Sequence, residues 1–138
     1  MGAPFTNHET VWRLISFSWW KNDPVTGLTV VDEAAFQNWK GVSVVRPLLL
    51  GVTPIAYVQQ RFPKHGIAEL DSKLIPSIGT ANGGDGCVLE FEDDLQYWPP
   101  DAHIVIKKAP DGSRLKARHA TGLTIHANAR PLVLRPQP

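Results

Sequence analysis

The sequence predicts an α+β fold with a small mixed or mainly antiparallel sheet and two short helices in its N-terminal half. Short runs rich in β-branched and aromatic residues recur along the chain, bounded by turn residues. The 11 glycines and 12 prolines, about 17% of 138 residues against roughly 12% in average usage, keep regular elements short. Strand and helix patterns do not alternate regularly, which disfavours a doubly wound parallel sheet.

Val11 to Phe17 reads as the first strand, closed by the turn residues Asn22-Asp23-Pro24, and Val25 to Val30 as a short hairpin arm turning at Thr26-Gly27. Glu33 to Lys40 reads as a helix: Asp32 can accept its free amide hydrogens, Ala35, Phe36 and Trp39 share a face, and Gly41 stops it. Val42 to Val45 is a second strand, ended by Pro47, which cannot donate to a ladder. Pro54 to Arg61 is the second helix, with Thr53 before it and Pro54 suited to the first helical position. Gly66 to Leu70 alternates as a strand does, and Asn82-Gly83-Gly84-Asp85-Gly86 is a flexible loop.

Cys87 to Phe91 and His103 to Lys107 are expected to pair antiparallel near the sheet centre. Ser113 to His119 fits either a short capped helix or the return strand of a hairpin, while Gly122, Thr121 and Thr124 argue against helix between His119 and His126. Leu132 to Leu134 is a last edge strand. The length suits one domain over 1–138, with a short flexible start (1–9) and a C-terminal tail (136–138).

Several classes are excluded or disfavoured. The longest uncharged stretch, Pro47 to Gln60, has 14 residues, below the roughly 18 needed to span a bilayer. No membrane partner is therefore expected, and the opening residues, which lack a basic and then apolar leader pattern, suggest a cytoplasmic protein. One cysteine precludes an intrachain disulfide, and the five histidines show no metal-ligand spacing, so neither metal nor cofactor is expected.

Charge is segregated along the chain. Positions 84–101 carry six acidic residues and no Lys or Arg, whereas 102–138 carry seven basic residues against Asp111 alone. The two segments can pair across strands, or the basic one can face nucleic acid through Lys107, Lys108, Arg114, Lys116 and Arg118. Against the latter, 102–138 has no aromatic residue on which a base could stack.

The aromatic residues cluster early, with Trp12, Trp19, Trp20 and Trp39 among the first 40 positions, and some should remain at the surface. The leading expectation is accordingly a protein-interaction module or accessory subunit, binding another protein or its own copy through Trp19, Trp20, Tyr97 and Trp98. A third reading, a small NAD- or nucleotide-dependent transferase, rests on the order Arg13, Ser43, Glu90.

Overall fold

The computed structural model describes residues 9–92 and 98–138. Seven strands and two α-helices follow in the order β1 (Thr10–Ile15), β2 (Trp20–Asn22), β3 (Thr29–Val31), β4 (Val42–Val45), α1 (Pro54–Arg61), β5 (Gly66–Asp71), β6 (Cys87–Phe91), β7 (His103–Lys108) and α2 (Ala117–Asn128). Five strands form one sheet in the order β5-β1-β4-β7-β6, and β2 and β3 make a separate hairpin. Every described pairing is antiparallel.

Alternation along the strands splits the apolar residues between two faces. Val11, Ile15, Val44, Ala68 and Ile104 point to one side, where Phe36, Ile75 and the Ala120, Leu123 and Ala127 stripe of α2 cover them. Trp12, Val45 and Ile67 point to the other, under Val58 of α1 together with Leu50 and Trp98.

Three elements differ from expectation. Glu33 to Lys40 forms only a 3-10 turn over Glu33–Phe36, with the Asp32 carboxylate accepting from the Ala34 amide. Helix does not continue: Arg13 takes the Ala35 carbonyl that would accept from the Trp39 amide, Asn38 Oδ1 accepts from the Lys40 amide at 3.3 Å, and Gly41 swings to φ +147° to enter β4. The second α-helix is instead C-terminal: α2 runs through Gly122, Thr121 and Thr124. There glycine serves close approach, since a Cβ at Gly122 would lie 2.8 Å from Ile78 Cγ2, and Thr124 Oγ1 donates back to the Ala120 carbonyl at 2.7 Å. Finally, of the β6–β7 pair expected near the sheet centre, β7 is interior and β6 is an edge strand.

Smaller differences have local causes. β1 stops at Ile15, where the Trp19 amide closes a turn onto the Ser16 carbonyl at 3.0 Å. Leu132 to Leu134 contributes one bridge, Ile67 to Leu134, and not a full strand. At the chain ends, Glu9 is buried and not part of a loose start, and the Gln137 amide donates to the Lys64 carbonyl.

The β1–β4 junction differs from its neighbours. β1 and β5 match over six positions, β6 and β7 over five and β4 and β7 over four, whereas β1 and β4 meet at Trp12 and Val45 alone. Side chains hold the rest of this seam. On one flank Arg46, at the exit of β4, makes a bidentate buried pair with Glu9 at 2.5 and 2.9 Å. On the other, Arg13 donates to the Ser43 carbonyl at 2.9 Å and to the Ala35 carbonyl at 3.0 Å. Its guanidinium thus supplies a ladder-like hydrogen bond where the strands part.

α2 is pinned by two histidines in the neutral form. His119 Nδ1 accepts from the Lys116 amide at 2.9 Å, which leaves Nε2–H to donate to the Asp85 carbonyl at 2.8 Å. His126 Nε2 accepts from the Asp71 amide at 3.0 Å. Burial lowers both pKa values, and that of His65, below the ordinary histidine value. The unfolded chain therefore takes up protons near pH 6.5 that the folded chain resists, so stability is full above that pH and is lost as pH falls through it. Thermal unfolding should show a falling Tm between pH 7 and 5.5, with His119→Gln reducing the pH dependence; a flat profile would contradict neutral histidines.

Candidate functional site

A cleft of about 380 Å³ opens beside the seam, and residues far apart in sequence build it. Arg13 comes from β1, Trp19 from the turn before β2, Gln37, Asn38, Trp39 and Lys40 from the link into β4, and Arg114 from the segment before α2. The Leu115 amide bond to the Trp39 carbonyl, 2.8 Å, fastens that last segment beside the aromatic one.

The electrostatics are one-sided. No Asp or Glu lines the cleft, and among the described residues Arg13, Lys40 and Arg114 have no carboxylate partner. Burial lowers the Arg13 pKa to about 10, which still leaves it charged at neutral pH, with its guanidinium 5.0 Å from the Trp19 ring centroid. A largely desolvated cation without a counter-ion is costly, and an anion arriving at the cleft offsets that cost. Lys40 and Arg114 are exposed at the rim, while Trp19 and Trp39 are half-buried, each packed against the core. Gln37 and Asn38 add exposed carboxamides, which both donate and accept.

The expected basic residues divide between this cleft and internal pairing. Lys107 pairs with Glu90 across β7 and β6 at 3.0 Å, an ion pair that raises the lysine pKa, and Lys108 pairs with Asp85 at 3.1 Å. Arg118 donates to the Gly79 carbonyl at 3.1 Å. Arg114 reaches the cleft, and Lys116 is exposed two residues further on.

Of the expected contact tryptophans, Trp19 lies under Arg13 in the cleft. Trp20 is half-buried, edge-on to Phe17 at 5.3 Å. Trp98 is only 7% exposed, stacked on Phe62 and beside Tyr57, because it fills the second core between α1 and the sheet. Tyr97 lies outside the described residues. Arg13, Ser43 and Glu90 are partly assembled: Arg13 bonds the Ser43 carbonyl, but Glu90 sits across β7 from Ser43, both in register with Val105. Two strand spacings, about 10 Å, separate the Ser43 and Glu90 backbones, and Lys107 engages the Glu90 carboxylate.

The sequence places Trp39 on the apolar face of a helix and Lys40 at its end, and marks neither as a binding residue. Nothing local could have indicated them, since their partners Arg13 and Arg114 lie 26 positions before Trp39 and 75 after it. Among the described residues no group of three or more His, Cys, Asp or Glu is placed to hold a metal ion, and no helix is long and apolar enough to cross a membrane. In comparisons with protein-family models, curated proteins and solved structures, nothing matches this chain.

Cys87 takes no part in the cleft. Its thiol is buried in the first core, donating to the Ile78 carbonyl at 3.6 Å, and burial pushes its pKa up to about 11. Ellman's reagent at pH 8 should therefore react with it slowly in the folded protein and at once in guanidinium chloride; fast labelling of the folded chain would refute its burial.

Proposed function

We propose that the chain is a binding module for single-stranded nucleic acid, and that the cleft seats one nucleotide unit. The observation that carries this is the meeting of three cations with two tryptophans in one cleft, where among the described residues the cations have no carboxylate partner and no Asp or Glu lines the walls. Single-strand binders combine cations that follow the phosphates with rings on which bases stack, and stacking tolerates any base. The basic segment lacks such rings in sequence, but Trp39 stands next to Arg114 in space. In this reading Lys40 and Arg114 take the phosphates, Arg13 is the fixed cation of the cleft wall, and Trp39 supports the base. Gln37 and Asn38 offer hydrogen bonds to base edges. We place the module in the cytoplasm, where such ligands are available.

A protein partner reached through exposed aromatic rings has less support, since Trp98 is packed inside and Trp19 lies under Arg13. A transferase built on Arg13, Ser43 and Glu90 has less still, with Glu90 engaged by Lys107.

Fluorescence anisotropy of a labelled ten-residue oligothymidylate between 50 and 200 mM salt tests the reading. Two phosphate contacts, through Lys40 and Arg114, give a slope of log Kobs against log salt of about −1.4, and Arg114→Ala should reduce its magnitude by about 0.7. Oligoadenylate should lose affinity in the same proportion, because a phosphate contact carries no base identity. No binding at 50 mM salt, or a slope unchanged in a folded Arg114→Ala variant, would overturn it.

A further inference from the structure

The β2–β3 hairpin carries a second surface, independent of the cleft. The Asp23 amide donates to the Leu28 carbonyl and the Asp32 amide to the Trp19 carbonyl, so the pairs 23–28 and 19–32 are hydrogen-bonded ones. By antiparallel alternation Lys21 and Val30 form the bonded pair between them, and the backbone groups of Val31 and Thr29 face outward from β3. Asn128 confirms this for Val31: its Oδ1 accepts from the Val31 amide at 2.8 Å and its Nδ2 donates to the Val31 carbonyl at 3.0 Å. The carboxamide at the end of α2 thus stands where the backbone of a third strand beside β3 would.

One step along the same edge, Thr29 has no such partner among the described residues, and its amide and carbonyl face a groove of about 440 Å³. Leu28, Pro131 and Leu132 give this groove apolar walls, Arg130 and Arg135 give it positive charge, and among the described residues no Asp or Glu lines it. Arg130 is paired with Glu69, whereas Arg135 is exposed and has no carboxylate partner among the described residues. Beyond the edge, Val25 and Leu28 expose 90% and 62% of their surface near the hairpin tip.

We propose that this edge docks an extended protein segment that adds as a strand against Thr29, alternating apolar residues with carboxylates. Backbone pairing at Thr29 gives such a segment its register, its apolar side chains enter the groove beside Leu28 and Leu132, and its carboxylates meet Arg135. Asn128 ends the docking site at Val31. The charge of the groove selects an acidic segment, and only a short edge is open, so the segment binds weakly and reversibly.

The probe is a capped decapeptide of alternating valine and glutamate, with its valine and lysine counterpart as control, added to the full chain. Amide hydrogen exchange should show Thr29 protected by the glutamate peptide and unaffected by the lysine peptide. Thr29→Pro removes the donor at a position the hairpin does not use, and should abolish binding with the circular dichroism spectrum retained. Arg135→Glu should weaken the glutamate peptide about tenfold. Three results would overturn the proposal: Thr29 unprotected at millimolar peptide, equal binding of both peptides, or Thr29 protected by a concentration-dependent dimer, which would make the occupant a second copy. None of these measurements depends on nucleic-acid binding, so either surface can fail without the other.

Discussion

The sheet is two strand groups joined at a seam, and two arginines hold that seam. β5 with β1 and β4 with β7 and β6 are each well laddered, but a single pair, Trp12 and Val45, connects them in register. Arg46 closes one flank by its bidentate pair with Glu9, both nearly inaccessible to water. Such a pair contributes little net stability against an apolar substitute of the same shape, yet removing either partner strands a charge in the core at a cost of about 3–5 kcal/mol. Register at the seam therefore rests on charge placement more than on the ladder.

Arg13 closes the other flank and opens the structure to chemistry. Its bonds to Ser43 and Ala35 come from two separate nitrogens, Nη1 and Nε, of one rigid plane, whereas a lysine would bring a single nitrogen on a flexible stem. They fix the guanidinium at the cleft wall before any ligand arrives, so little order is lost on binding. Five of the fourteen Lys and Arg residues, Lys21, Arg46, Lys107, Lys108 and Arg130, face carboxylates. Arg13, Lys40 and Arg114, which have no carboxylate partner among the described residues, meet in the cleft beside Trp19 and Trp39. Two of the seven basic residues of 102–138 pair with carboxylates of 84–101 among the described residues, Lys107 with Glu90 and Lys108 with Asp85, and Arg114 at the cleft is one of those left over.

Elements governed by local rules were legible in the sequence. Val42–Val45 and Pro54–Arg61 have the predicted bounds, the first set by β-branched residues before a proline and the second by proline at the helix start. Errors arose where a tertiary contact overrode a local rule. Gly122 resembles a helix breaker but is the residue that lets α2 approach Ile78 and Gly79, and the helical pattern of 33–40 ends early at Phe36, where Arg13 claims the Ala35 carbonyl. The cleft was illegible for the same reason. Arg13, Trp19 and Arg114 each attracted notice under a different reading, but their convergence is a property of the seam and of the Leu115 bond, which no spacing encodes.

The most direct test of the central claim is the set of tryptophan indole N–H signals in a nitrogen–proton correlation spectrum, followed as oligothymidylate is added at low salt. The account predicts that the Trp19 and Trp39 signals move together and saturate, while Trp12 and Trp98, packed in the second core on the far side of the sheet, stay in place. Movement confined to Trp12 or Trp98, or no movement at saturating oligonucleotide, would contradict it.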